Sequence, residues 1–200
     1  MSQTRAQLVK GFSNTSASAD VITVDSSANV GINKTSPVKD LDVTGEIRAS
    51  TGILFGTDTA AANTLDDYEE GTWTPDIEGS TTAGTYTYNG GRSGHYTKIG
   101  NRVFIRASML NIATDVVGAG TLRIVGLPFQ NTGGYTTGNV YLANFNVDDA
   151  TVNLVSRVEP SSTYMIINET RDNASGSTVS ITDKTSNSAD IIISISYMAS

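Results

Sequence analysis

Asp66-Asp67-Tyr68-Glu69-Glu70 puts four carboxylates around one tyrosine, just ahead of the only tryptophan, Trp73. Glycoside hydrolysis uses a pair of such groups, an acid and a base or nucleophile ~5–10 Å apart across the scissile bond. Neighbouring carboxylates in a turn do not face each other across a substrate. They read instead as a solvated linker whose acids bond backbone amides and cap the element that follows. Their spacing does not match a calcium loop, which wants alternate oxygen ligands around a glycine turn. His95 is the single histidine, with no nucleophile motif beside it, and Gly94-His95-Tyr96 reads as the opening of a strand. Gly90-Gly91 and Gly133-Gly134 lack a following helix that would present amides to a phosphate, so they read as hairpin turns. The expectation is a non-enzyme, with no catalytic residue, no metal and no cofactor.

Aromatic and amide side chains remain as functional material. Tyr135, in Gly133-Gly134-Tyr135-Thr136-Thr137, is joined by Tyr141 and Tyr164 as rings that could stack on sugars, while Asn139 and Asn144 could bond hydroxyls. Alternate residues of a strand must also fill a core, and Tyr135, beside two glycines, is the best exposed candidate.

The elements that must position these residues differ between the two parts of the chain. Residues 1–72 hold 3 of the 14 aromatic side chains and residues 73–200 the other 11. A shift that sharp, on a segment punctuated by Gly71-Thr72 and Thr74-Pro75, marks a domain boundary. The net charge is −7, with 5 basic against 10 acidic residues up to Thr72 and 8 against 10 beyond it. Phosphate neutralisation needs a basic face, so nucleic acid is not the expected partner. No Cys is present, which removes disulfides and thiolate metal sites. No apolar run approaches the ~18 residues of a membrane span, and the start lacks an apolar signal core, so neither membrane insertion nor standard export is expected. Abundant Thr and Ser with Val, Ile and Tyr, and few helix formers, predict an all-β protein.

Residues 1–19 build no core. They read either as a tail or as a docking segment ordered only against another protein, with Leu8, Val9 and Phe12 as its apolar contacts. Residues 20–72 carry short apolar pieces, Val21–Val24, Val30–Ile32, Leu41–Val43, Glu46–Ala49 and Ile53–Phe55, at roughly ten-residue spacing with turn chemistry between them. Strands this short do not make a stable sheet within one chain. Copies wrapped about a common axis would bury the apolar positions and pair the edges, and a three-fold axis is the simplest closed solution.

Val30-Gly31-Ile32-Asn33-Lys34-Thr35-Ser36-Pro37, followed by Leu41-Asp42-Val43-Thr44-Gly45-Glu46-Ile47-Arg48-Ala49-Ser50, resembles the stem repeat of bacteriophage tail fibres and related trimeric fibre proteins. Ala62 through Pro75, with the later Tyr96-Thr97-Lys98-Ile99-Gly100-Asn101, is similar to the head of the same proteins, a type met in marine and cyanobacterial phages. The resemblance covers residues 30–101, and Asn33 stands where the family more usually has glycine. It implies a homotrimer that docks to another virion protein of the tail, baseplate or neck by its N-terminus. The C-terminal head would then adhere to a host cell-surface polysaccharide. Location in the virion, after assembly in the bacterial host cytoplasm, follows from the same resemblance. The alternatives are a capsid or neck decoration fibre without receptor contact and, less favoured, a polysaccharide depolymerase.

Residues 73–200 read as about ten strands: Trp73–Ile77, Thr85–Tyr88, Gly94–Ile99, Val103–Leu110, Leu122–Leu127, Val140–Val147, Thr151–Arg157, Thr163–Ile167, Thr178–Ile181 and Ile191–Tyr197. The expected architecture is an antiparallel β-sandwich head, jelly-roll-like, preceded by an intertwined trimeric β-stem and hinge.

Overall fold

The computed structural model describes residues 22–57, 59–60, 63–147, 149, 151–172 and 174–200. The proposed docking residues Leu8, Val9 and Phe12 lie outside the described residues. The chain divides into two compact units, Met1–Thr51 and Gly52–Ser200.

In the first unit, β1 (Ile22–Val24) pairs antiparallel with β2 (Val30–Ile32), which pairs parallel with β3 (Leu41–Val43). Asp25 builds the β1–β2 turn by accepting from the Ser27 and Asn29 amides at 2.8 and 2.9 Å. Asn33, directly after β2, has φ 52°, the left-handed conformation that glycine adopts most easily and asparagine tolerates. Glu46–Ala49, expected as a strand, has irregular backbone. Among the described residues of this unit only Gly31 and Pro37 are buried; Val24, Val38, Leu41 and Ile47 are more than half exposed.

The second unit begins with a two-stranded ribbon, β4 (Ile53–Leu54) and β5 (Thr64–Leu65). Its main sheet contains β6 (Tyr68–Trp73), β7 (Asp76–Gly79), β8 (Thr85–Tyr88), β9 (Arg92–Ile99), β10 (Arg102–Val116), β11 (Leu122–Val125), β12 (Thr136–Ala143), β13 (Thr151–Val158), β14 (Tyr164–Arg171), β15 (Ala174–Thr178) and β16 (Ala189–Met198). The strand order is β6-β9-β10-β16-β12-β13-β14-β11-β7, with β8 on the far half of β10 and β15 on β14, and every pairing is antiparallel.

One feature of this order dictates the shape of the sheet. The first and last strands of the path, β6 and β7, are consecutive in the chain and separated only by Thr74-Pro75. A sheet whose two ends are two residues apart must curl back on itself, and its concave face becomes a single core. Trp73 and Ile77 from the two ends, Val103 and Ile105 from β10, Ile193 and Tyr197 from β16, and Ile124, Met165 and Ile167 from the opposite wall all belong to that core. The sandwich expected from sequence is therefore one continuous curled sheet. The strand expected over Trp73–Ile77 is two, because Pro75 has no N–H for a ladder and its ring fixes φ at the corner. β6 starts at Tyr68, so Tyr68-Glu69-Glu70 of the segment read as a linker belong to the edge strand of this sheet, and Asp66-Asp67 lead into it. The expected Thr178–Ile181 strand is instead the end of β15 and a single 3-10 turn, Ile181–Asp183, capped by Ser180.

Three clusters hold the curl closed. Tyr88 donates to Asp76, accepts from the Ile77 amide at 3.0 Å, and lies under the Arg92 guanidinium 4.6 Å from its ring centre. Arg92 in turn pairs with Asp76 at 2.6 Å and donates to the Pro75 carbonyl at 3.3 Å. Burial, with the Asp76 hydrogen bond, pushes the Tyr88 phenol well above its ordinary range. In the second cluster, the buried Lys98 ammonium pairs with Asp67 and lies over the Phe129 ring. In the third, the fully buried Tyr197 donates to the Phe129 carbonyl at 3.0 Å, and burial pushes its phenol up to about 12.

Candidate functional site

Strand alternation sorts the chemistry-bearing residues onto two faces. On β6 and just ahead of it the acidic run is split: Tyr68 donates to Glu70 at 3.0 Å, Glu69 accepts from Tyr96, and Asp67, immediately before the strand, accepts from Lys98. Glu69 and Asp67 tie the edge strand to β9, while Glu70 is bonded within its own strand, where a cap of backbone amides was expected. The reason is the two-residue period, which aims successive acids to opposite sides. His95 is exposed in mid-strand, opposite Thr72 on β6 and Arg106 on β10. Among the described residues, no three His, Asp or Glu side chains converge on a common point where a metal ion could be held.

The five residues expected to meet a sugar separate into three environments. Tyr135 is 69% exposed, at the end of a turn organised by the fully buried Asn131. The Asn131 side chain accepts from the Gly133 amide at 3.0 Å and donates to the Gly134 and Glu159 carbonyls at 3.0 and 2.9 Å. The Arg157 guanidinium stands 5.3 Å from the Tyr135 ring centre and pairs with Glu159 at 2.8 Å. Tyr164 is half-buried, and Arg123 lies 4.3 Å from its ring centre while pairing with Glu78 at 3.8 Å.

The registers of β13, β14 and β11 set Arg157, Ile166 and Arg123 directly side by side. Tyr135 and Tyr164, 29 residues apart in the chain, thus flank one ladder in which each ring is covered by an arginine. Arginine over an aromatic face is held by the ring quadrupole and keeps its N–H groups free in the ring plane for oxygen acceptors. Such a ladder offers ring faces, cations and carboxylates to a polar ligand on one convex surface.

Asn139 and Tyr141, both exposed on the outward side of β12, form a second environment opposite Ser194 and Ile192 of β16. Asn144 is the third. It has φ 61°, its amide donates to the Ser188 carbonyl at 3.0 Å, and its carbonyl accepts from the Thr185 amide at 2.9 Å. Its side chain holds the segment leading into β16, with one amide N–H committed to Ser188. Arg157 and Arg123 went unnoticed in the sequence because nothing in it shows that β13 and β11 flank β14. Their phase on two otherwise uncharged strand segments was the available signal.

The architecture defined here, an all-β chain whose C-terminal unit is one curled antiparallel sheet, has a counterpart among solved structures. The crystal structure of the Dettilon tailspike protein (gp208) superposes with a TM-score of 0.54 over 66% of this chain, at 13% identity, and the match spans 24% of the tailspike chain. This likeness is one of fold. No protein-family model matches the sequence, and no curated protein matches it.

Proposed function

We propose that this chain is a bacteriophage structural protein, a short homotrimeric tail fibre that docks to the tail or baseplate by its N-terminal segment and adheres to a host surface glycan by its C-terminal unit. In this reading it is an adhesin rather than an enzyme. The observation that carries it is the exposure of apolar side chains in the first unit. Val24 is 65% exposed and Leu41 57%, on strands of three residues each, and Val38 and Ile47, in the irregular segments around them, are 74% and 66% exposed. Burying such a side chain is worth about 1.5–3 kcal/mol, so four of them left in water are a large deficit that neighbouring copies would remove. The tailspike-like fold supports a place in the tail, and the Tyr135–Arg157 and Arg123–Tyr164 pairs support contact with a polar polymer.

Sedimentation of the purified full chain tests the assembly: a trimer is expected, and a stable monomer with an ordered first unit contradicts it. Adsorption tests the adhesion. The full chain should bind host cells and block infection, and Tyr135→Ala with Arg157→Ala should weaken both without changing the trimer. Undiminished adsorption by that double variant would move the glycan contact elsewhere.

A further inference from the structure

A cavity lies among elements other than those of the Tyr135 face, which neither the fold argument nor the proposed adhesion uses. It measures about 350 Å³, at the small end of the range for ligand sites, and lies between β8, the far end of β10 and the segment that follows the 3-10 turn. Its walls include Tyr86, Thr114, Val117, Lys184, Ser186 and Asn187. The segment is fixed before any ligand arrives. Thr185 donates to the Asn144 carbonyl at 2.9 Å, the Thr114 amide donates to Asn187 Oδ1 at 3.2 Å, and Asn146 donates to the Asp183 carbonyl at 2.6 Å.

Lys184 is the only charged side chain in the lining. Its Nζ donates to the Ile112 carbonyl at 3.1 Å and to the Ser186 carbonyl. The Ile112 carbonyl sits where β10 slips register after Asn111 and exchanges β9 for β8 along one side. An ammonium has three donors, and these two bonds leave one. Among the described residues no carboxylate lies within 4.0 Å of Nζ. The adjacent Asp183 carboxylate is turned away, accepting from the Ser180 amide at 2.6 Å. Burial presses the Lys184 ammonium below its ordinary pKa, the sign of a cation that has lost water without gaining a counter-charge. In a chain of net charge −7, such a cation is conspicuous.

The remaining lining is mixed in a particular way. The Tyr86 hydroxyl accepts from the Gly118 amide at 3.2 Å and keeps its own hydrogen to donate. Asn187 uses its oxygen on Thr114, which leaves its amide N–H pair. Val117 and the Tyr86 ring supply apolar wall. Hydroxyl and amide donors, an apolar wall and one cation together match a saccharide that carries a carboxylate.

We propose that this pocket binds a hexuronate residue of an acidic polysaccharide, its carboxylate on Lys184 and its ring hydroxyls on Asn187 and Tyr86. The site is separate from the Tyr135 face and does not depend on it.

Ligand-observed NMR on the full chain tests this with sodium glucuronate, glucose, sodium acetate and inorganic phosphate. Glucuronate should bind saturably and about tenfold or more tighter than glucose, the factor expected for a charge-assisted hydrogen bond. Lys184→Gln should remove that margin, Lys184→Arg should keep most of it, and Tyr135→Ala should leave it unchanged. The glucose comparison needs no variant and stands even if Lys184→Gln unfolds. The proposal is overturned if glucuronate does not bind, if it binds no better than glucose, or if Lys184→Gln leaves its binding intact. It is also overturned if acetate or phosphate displaces it at equal concentration, which would make the pocket an anion site without sugar recognition. Loss of cell adsorption in the Tyr135 and Arg157 variants, with glucuronate binding retained, would show two independent sites.

Discussion

At the scale of residues, the C-terminal unit depends on a few close approaches that leave no room for substitution. Trp73 is 8% exposed, and its indole lies flat against the place where a side chain on Gly94 would be: a Cβ there would come within 2.6 Å of Trp73 Cδ1. Trp73→Ala should lower the stability of this unit by ~3–5 kcal/mol, and Gly94→Ala, which overpacks the same contact, by ~1–3 kcal/mol, both read from denaturant melts. Tyr197 gives a pH signature. Its folded pKa of about 12 lies above the ~10 of a free phenol, so the stability it contributes is complete below about pH 10 and lost as pH rises to about 12. Melting across that window should show the loss in the wild-type chain and a smaller one in Tyr197→Phe.

At the scale of elements, the edge strand β6 and the Pro75 corner decide whether the sheet stays closed. Lys98 is buried and its only described carboxylate partner is Asp67, which is itself half exposed. Asp67→Ala strands that ammonium, and a cost of about 2 kcal/mol is expected, whereas the double change with Lys98→Met should recover most of it. A double-mutant cycle measures the difference. At the corner, the Ile77 amide donates to both Asp76 Oδ1 at 2.8 Å and the Tyr88 hydroxyl at 3.0 Å; Tyr88→Phe removes the second acceptor and the hydroxyl that holds Asp76, and hydrogen exchange at Ile77 should speed up more than that at Ile124, its neighbour on β11.

At the scale of the whole molecule, the two units differ in self-sufficiency. Among the described residues, the 22 buried apolar side chains all come from residues 73–199, so a fragment spanning Gly52–Ser200 should fold and melt cooperatively by itself. A fragment ending at Thr51 should give no cooperative melt at low concentration, and circular dichroism on the two fragments checks both expectations. Concentration dependence of the full chain's first transition would follow from the same asymmetry.

The all-β class, the short strands before residue 60 and the importance of Trp73 were legible in the sequence. Each rests on local chemistry: β-branched composition, turn residues between apolar pieces, and a large ring beside glycines. Tyr135 was legible as exposed for the same reason, since its neighbours Gly133 and Gly134 cannot bury it. The closure of one sheet through Thr74-Pro75 was not legible, nor was the ladder that sets Arg157 and Arg123 beside Tyr135 and Tyr164, nor the uncompensated charge of Lys184. These depend on which strands lie side by side, and a two-residue alternation gives each strand its faces without naming its neighbours. The sequence thus determined what every strand could bury, while the tertiary structure alone decided which side chains share a surface. Pairing between strands far apart in the chain is settled by the packing of the whole core.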